Sequence, residues 1–337
     1  MSADPVHPYA RLVIGTTRVA SLCVVQSPFD SWWRGLTEVP ADLGRTAVVI
    51  GNFDGVHRGH QAVIQRAKEI AGDLPLVAVT FFPHPMAVVR PDIAPRILTD
   101  AVKRAELLRA AGADAVLTVP FDLEVASWSP DEFAREVLVD RLHAALVVVG
   151  DNFRYGHKAS GDVASLTAFG REYDFRVEGV ALAGDEAAWC STDVRTLVDS
   201  GDVAGATAIL GHAPTVRGVV VKGDQRGREL GFPTANVPAD DKLAVPADGV
   251  YAGWLTRLDT RERFRAAISV GTNPTFEGVV GRRVESYVLD ERLDLYGVEV
   301  EVEFVARIRG MVAFTTVEAL VEVIEDDVRR TRELLRA

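Results

Sequence analysis

Ala47-Val48-Val49-Ile50-Gly51-Asn52-Phe53-Asp54-Gly55-Val56-His57-Arg58-Gly59-His60 joins a strand pattern to a helix pattern through a glycine-rich turn. Its first four residues form a short apolar run, the pattern of a buried strand. A glycine-rich turn follows. Beyond it Val63, Ile64, Ala67 and Ile70 recur at helical spacing. The two histidines therefore fall where a strand hands over to a helix N-terminus. Free backbone N–H groups and the positive end of the helix dipole gather there and favour a phosphate. Gly51, Gly55 and Gly59 let the backbone turn sharply and approach a ligand closely. His57 and His60 can face one point if the helix begins near Gly59. Imidazoles aimed at a phosphate stabilise charge that grows in a transition state. A bare H-x-G-H also fits a metal pair or two turn-capping histidines.

The same alternation continues outward. Residues 76–82, 115–119 and 145–149 are further continuous apolar runs, and residues 100–111 and 130–142 read as helices between them. Strands that are apolar throughout and alternate with helices predict a doubly wound parallel sheet covered on both faces. Ligands in such sheets bind beyond the carboxyl ends of the strands. Three further segments are placed there. One is Pro83-His84-Pro85, and another is Asp151-Asn152-Phe153-Arg154-Tyr155. The third is Trp189-Cys190-Ser191-Thr192-Asp193-Val194-Arg195. Ser191 or Thr192 caps a helix that Gly201 ends. Arg195 comes too early in that helix to favour the dipole, so it asks for an anion. Cys190 reads as a small buried residue.

After a helical bridge at 201–212 the texture changes. Residues 215–221, 250–255, 264–270, 283–289 and 298–308 are strands with no helices between them, which predicts an antiparallel sheet closed into a barrel. Glu299, Glu301 and Glu303 alternate with apolar residues, as in a half-exposed strand. A helix from about residue 317 ends the chain. Thr315 and Glu318 suggest its capping box, and Val317, Leu320, Val321, Ile324 and Val328 its apolar stripe. Between the first two barrel strands lies a loop containing Gly223, Gly227 and Gly231 before Pro233-Thr234-Ala235-Asn236. It suits phosphate but lacks the Gly-Lys-Ser/Thr of a Walker loop.

Composition bounds the rest. A 337-residue chain with 48% hydrophobic residues supports about two domains with real cores. A net charge of −11 argues against nucleic acid as a partner. No run of about 18 apolar residues offers a membrane span. Two distant cysteines, Cys23 and Cys190, read as thiols in a reducing cytoplasm. Residues 11–25 are interrupted by Arg18 and lack a cleavage site, so residues 1–31 read as an accessory extension or a start assigned too early. A homo-oligomer is neither indicated nor opposed.

G-x-F-D-G-x-H-x-G-H resembles the signature of the nucleotidyltransferase superfamily, in which the histidines bind a nucleotide triphosphate. The Pro83–Pro85 turn resembles the flavin loop of bacterial FAD synthetases, with Phe82 where that family has a polar residue. Residues 150–156 resemble the family's G-x-N/D-F-x-F-G loop. Ser191, Thr192 and Arg195 resemble its phosphate-binding S-S-T-x-V-R, with Trp189-Cys190 departing from it. Gly-Phe-Pro-Thr-Ala-Asn at 231–236, Gly-Val-Tyr-Ala-Gly at 249–253, Ser-Val-Gly-Thr-Asn-Pro-Thr-Phe at 269–276 and Val-Glu-Ser-Tyr at 284–287 resemble riboflavin kinases.

Together these matches resemble the bifunctional riboflavin kinase and FMN adenylyltransferase family over residues 32–337. The resemblance implies an adenylyltransferase domain at 32–200, a linker at 201–213 and a kinase domain at 214–337. It implies ATP, riboflavin and FMN as partners and magnesium as cofactor. In the first domain Gly51, Phe53, Asp54, Gly55, His57, His60, Ser191, Thr192 and Arg195 would serve the nucleotide. Pro83, His84, Pro85, Asn152 and Phe153 would serve the flavin. In the second, Gly223, Gly227 and Gly231 would wrap phosphate, Thr234 and Asn236 would hold magnesium, and Glu285 would be the general base. Glu285 shares a strand face with Tyr287 and Leu289, where a carboxylate needs a partner or a task. The rival readings are a nucleotidyltransferase with another phosphorylated acceptor and a non-catalytic flavin or nucleotide carrier.

Overall fold

The computed structural model describes residues 32–181, 189–223, 230–274 and 280–336. The expectations for residues 1–31, for Gly227 and for Thr275 and Phe276 lie outside these.

The first half is a parallel six-stranded sheet in the order β1-β4-β3-β2-β5-β6. The strands are β1 (Trp32–Trp33), β2 (Thr46–Ile50), β3 (Leu76–Phe82), β4 (Ala115–Pro120), β5 (Ala144–Gly150) and β6 (Arg176–Val180). Every residue of β2 is buried, which is why its sequence shows no alternation. The helices are α1 (Arg58–Ala71), α2 (Pro85–Val89), α3 (Ala101–Ala110), α4 (Leu123–Ser127), α5 (Pro130–Phe133) and α6 (Val163–Tyr173). Residues 134–139 prolong α5 as a π-helix. From β2 the chain steps outward through β3 and β4, then returns to place β5 on the other side of β2. The switch point thus lies between β2 and β5, and their carboxyl ends frame the crevice such sheets use.

Two helices, α7 (Ser191–Ser200) and α8 (Val203–Leu210), lead to the second half. The bridge is packed: Val194, Val198, Ala206 and Leu210 form one buried cluster with Leu98 and Ala244. Leu98 belongs to the first half and Ala244 to the second, so the two halves share a core there. Burying each such leucine or valine stabilises the junction by roughly 1.5–3 kcal/mol.

The second sheet is antiparallel, in the order β7-β12-β9-β10-β11-β8. Its strands are β7 (Thr215–Val219), β8 (Thr234–Pro238), β9 (Gly249–Arg257), β10 (Arg263–Pro274), β11 (Val280–Val288) and β12 (Glu299–Arg309). A single bridge between Val221 and Asn236 joins the β7 end to β8, so the barrel is nearly closed. Helix α9 (Val317–Leu334) lies against β9, β10 and β12. The Arg309 guanidinium grips Asp327 of α9 through Nε and Nη2 at 2.7–3.1 Å.

Several expectations shift by local chemistry. The cap of α9 is Thr316, whose hydroxyl accepts from Ala319 N–H at 3.2 Å, so the Thr315–Glu318 box does not form. Of the expected stripe Val317 is 55% exposed, Leu320, Val321 and Ile324 are half-buried and Val328 is buried, with Thr331 buried beside it. The cap of α7 is Cys190, whose Sγ accepts from Asp193 N–H at 3.4 Å; Ser191 and Thr192 lie inside the first turn. Cys190 is therefore half-buried rather than core. Gly201 does end α7 in the left-handed region, at φ +82°. Thr234 and Asn236 lie on β8, not in a loop. Glu301 is buried, unlike Glu299 and Glu303, because α3 of the first half packs over it and supplies Lys103.

Candidate active sites

The turn between β2 and α1 is built under backbone strain. Phe53 and Val56 are not glycines, yet hold φ at +48° and +41°, at a cost of order 1–3 kcal/mol each. Both are buried in the core that α1 shares with the sheet, which offsets that cost. Gly55 holds φ +81°, and a Cβ there would meet Leu98 at 2.9 Å and Leu210 at 3.0 Å. Only glycine fits.

The carboxylate of Asp54 is the hub of this turn and is 1% exposed. It accepts from Leu98 N–H at 2.9 Å and Thr99 N–H at 3.2 Å. It also takes Arg104 Nη2 at 3.2 Å and Arg195 Nη2 at 2.6 Å. Arg104, on α3, is 1% exposed and further donates to the carbonyls of Asn52, Phe81 and Thr99 at 3.0–3.1 Å. That single side chain ties the ends of β2 and β3 together. Burial lowers its affinity for a proton and Asp54 raises it again; guanidinium stays charged throughout. Arg195 also donates to Arg96 carbonyl at 2.7 Å, and Ser191 hydroxyl donates to Asp54 carbonyl at 3.0 Å.

His57 caps α1: its Nδ1 accepts from His60 N–H at 3.4 Å. Its ring stacks on His60 with centroids 3.6 Å apart and planes 20° apart. The edge of Phe53 abuts His60 at 5.2 Å. Desolvation pulls His57 down to about pKa 4, Asp54 opposing and Arg195 assisting. Burial, then His57 and Arg104, hold His60 well below the ordinary histidine value. Both rings are neutral at pH 7. With Nδ1 of His57 accepting, its proton sits on Nε2, which makes that edge a hydrogen-bond donor. His60 Nδ1 is buried without a partner among the described residues.

His84 joins this group. It is buried, caps α2 through Nδ1 at 3.2 Å from Met86 N–H, and is pushed down by burial, with Asp54, Arg195 and Arg104 as its charged neighbours. The structure thus places His84 beside the histidine turn, where an ordinary proline turn would leave it on the surface. Asn152 is exposed beyond β5, and Phe153 stacks on Tyr155 at 5.3 Å. Tyr155 itself is 6% exposed and belongs to the core.

The barrel carries the second site. A cavity of ≈ 490 Å³ is lined by Thr234, Asn236, Gly223 and Gly231, with Val220, Ser286, Val288, Leu293 and Leu295 among its apolar and inner walls. Asn236 Nδ2 lies 3.3 Å from Thr234 Oγ1, while Asn236 Oδ1 is buried with no partner among the described residues. A Cβ at Gly223 would lie 2.5 Å from that same oxygen, so glycine keeps the approach open. Glu285 pairs with Asn236 across the β8–β11 ladder. It is half-buried and is not among the residues lining the cavity.

The halves are also joined by charge. Glu301 on β12 binds Lys103 at 2.8 Å and Arg217 at 2.5 Å, and Arg217 reaches Glu106 of α3. Burial raises the Glu301 carboxyl, but Lys103 and Arg217 more than offset this and hold it below the usual carboxylate range. Backbone pairing crosses the junction too: Ile97 N–H donates to Lys242 carbonyl and Ala244 N–H to Ile97 carbonyl, each at 2.8 Å.

Neither Arg104 nor the junction network is legible in the sequence. No sequence signal pointed to Arg104, since a lone arginine in a helix ordinarily faces water.

A parallel sheet with neutral paired imidazoles at its switch point, fused to a barrel with an oxygen-lined cavity, defines a protein with two separate phosphate-handling domains. The FAD synthetase family model matches residues 39–193, and the Riboflavin kinase model matches residues 210–335. The bifunctional riboflavin kinase/FMN adenylyltransferase of Listeria monocytogenes is 36% identical over 85% of this chain and 91% of its own length. Its counterpart in Escherichia coli strain K12 is 35% identical over the same shares. The crystal structure of a macrolide-efflux protein from Streptococcus pneumoniae superposes with a TM-score of 0.78 at 30% identity, covering 90% of this chain and 99% of that one. Among the described residues here no helix is long and apolar enough to cross a membrane. The chain belongs to the bifunctional riboflavin kinase/FMN adenylyltransferase family.

Proposed function

We propose that the two halves run successive reactions on one vitamin. The barrel, residues 214–337, phosphorylates riboflavin with ATP to give FMN and ADP. The parallel-sheet domain, residues 32–200, adenylylates FMN with ATP to give FAD and pyrophosphate. Residues 201–213 link them. The observation that carries this is the presence of both family matches, in that order, on one chain.

In the adenylyl step a phosphate oxygen of FMN attacks the α-phosphorus of ATP and pyrophosphate leaves. His57 and His60 donate, as neutral imidazoles, to oxygens of the triphosphate. Gly51 and Gly55 let the backbone come close, and the N–H groups of the α1 first turn face the same anion. Asp54 is a positioning residue: its oxygens are engaged by protein donors, and a carboxylate would repel phosphate. It sets Arg195, and Phe53 backs His60. Ser191, Thr192 and Arg195 complete the phosphate contacts. Pro83, His84, Pro85, Asn152 and Phe153 hold the flavin. No covalent enzyme intermediate is required, and catalysis is positioning plus charge stabilisation.

In the kinase step Glu285 takes the proton of the terminal ribityl hydroxyl as it attacks the γ-phosphorus. Gly223, Gly227 and Gly231 wrap the phosphates. Thr234 and Asn236 offer hard oxygen donors, one of them an unsatisfied buried oxygen, which suits magnesium. That ion neutralises phosphate charge when bound. The cysteine usage supports a cytoplasmic site of action.

The test is a time course with riboflavin, ATP and magnesium, the flavins being resolved by chromatography. FMN rises first and FAD follows. Neither product from folded, magnesium-loaded protein rejects the reading. FMN that never converts leaves only the kinase half.

A further inference from the structure

Ser286 lies in mid-β11 and is 0% exposed, yet its hydroxyl has no hydrogen-bond partner among the described residues. Native folds rarely strand a buried hydroxyl, and each one that is stranded calls for an explanation. The strand does not need it, because the β11 backbone is paired on both sides. Ser286 sits opposite Ala235 on β8 and Ile268 on β10, both core residues, so it shares their inner face. It also lines the barrel cavity, among Val220, Val288, Leu293 and Leu295. Ala235 lies between Thr234 and Asn236, so Ser286 is one rung from each of them. Asn236, which alternation puts on the other face of β8, carries the second buried oxygen without a partner among the described residues, and both residues line the cavity.

We propose that Ser286 is a substrate-reading residue of the barrel: its hydroxyl hydrogen-bonds the polar edge of a nitrogen heterocycle seated in the cavity. The cavity wall is mixed, with Thr234, Asn236, Glu291, Arg292, Asp294 and Tyr296 beside the apolar residues; a neutral hydroxyl in such a wall suits a flat ring with donors and acceptors along one edge. Phosphate is better served by cations and N–H groups, and a metal ion by several oxygens, so a lone neutral hydroxyl is the weaker partner for either. Riboflavin and the adenine of ATP both carry such an edge. The inference rests on reading the barrel as the riboflavin kinase.

The experiment compares Ser286→Ala and Ser286→Cys with the unsubstituted full chain. Both remove the strong hydroxyl, and the cysteine keeps the shape. KM is measured for riboflavin and for ATP in FMN formation, together with Tm with and without each substrate. The FMN-to-FAD rate of the same samples reports the integrity of the other domain. Losing one neutral hydrogen bond raises KM for one substrate by roughly 3- to 10-fold in both variants, with kcat within about twofold. A rise for riboflavin alone identifies the flavin ring, and a rise for ATP alone identifies adenine. The Tm of the free protein stays level or rises, since an unsatisfied hydroxyl is gone, while the substrate-induced Tm shift shrinks. A residue that merely packs the core does not give that opposite pair of changes. The proposal is overturned if both KM values stay within twofold, or if the free protein loses Tm while the substrate-induced shifts are unchanged. The wild-type rate of FMN formation tests the kinase reading, and the ratio of variant to wild type tests Ser286.

Discussion

The two sites are finished to different degrees by the protein itself. In the parallel-sheet domain the Asp54 carboxylate is ringed by donors from Leu98, Thr99, Arg104 and Arg195. Beside that hub a single ring nitrogen, His60 Nδ1, is buried without a partner among the described residues, whereas the barrel cavity leaves two oxygens so, Asn236 Oδ1 and Ser286 Oγ, with no ion pair to hold them. One site is held in shape by internal ion pairs. The other keeps polar atoms in reserve for what it binds. This follows from the chemistry each performs. The first has neutral imidazoles and strained backbone to aim, and aiming needs a stiff frame. The second takes hard-oxygen ligation and a ring edge, which only the bound molecules complete.

That contrast predicts opposite signs for removing a polar group. Asp54→Ala strands the buried Arg104 charge and costs about 3–5 kcal/mol of stability in the parallel-sheet domain. Urea unfolding followed by domain-resolved hydrogen exchange measures it. FMN formation persists under mild conditions because the barrel keeps its own core. Ser286→Ala, by contrast, costs the ligand-free barrel nothing. A loss below about 1 kcal/mol for Asp54→Ala would break the comparison, since the hub would not then be holding its loop.

Acid sharpens the contrast further. An unfolded histidine titrates near 6.5, whereas folded His57 titrates at about 4. Between those values the unfolded chain binds more protons, so stability of the parallel-sheet domain falls as pH drops across that window. The loss from His57 reaches roughly 3 kcal/mol. Above pH 6.5 this group contributes no slope. No histidine follows His212 in the sequence, so the barrel lacks this sensitivity. Its depressed carboxyls, Glu301, Asp290 and Asp259, withdraw their support only as pH falls below about 4.5. Hydrogen exchange between pH 7 and 5 should show the parallel-sheet domain loosening first. Loosening of both domains together would mean that the junction, not the histidines, governs acid response.

Much of this was legible in the sequence because it is periodic or local. Apolar runs gave β2, β3, β4 and β5, and their alternation with helices gave a parallel sheet. The glycine turn placed His57 and His60 at the start of α1. What escaped depends on partners distant in sequence. Arg104 is invisible as a buried residue until Asp54, 50 positions away, is seen beside it. Glu301 looks like an exposed strand position until α3 covers it with Lys103. Strands β1 and β6 are short and lie at the sheet edges. β6 buries none of its residues fully, which leaves little pattern to read. Thr316 and Cys190 took the caps assigned to Thr315 and to Ser191 or Thr192, since caps shift by a residue wherever neighbouring side chains can serve.

The central claim is that separate sites on one chain carry the two successive transfers. Paired substitutions measure it most directly: His57→Ala and Glu285→Ala, each supplied with riboflavin or with FMN, plus ATP and magnesium. His57→Ala is expected to lower FAD formation by at least about 10²-fold while FMN formation is kept. Glu285→Ala is expected to abolish FMN formation while added FMN is still converted to FAD. Loss of both activities in each variant, with the fold intact, would contradict it.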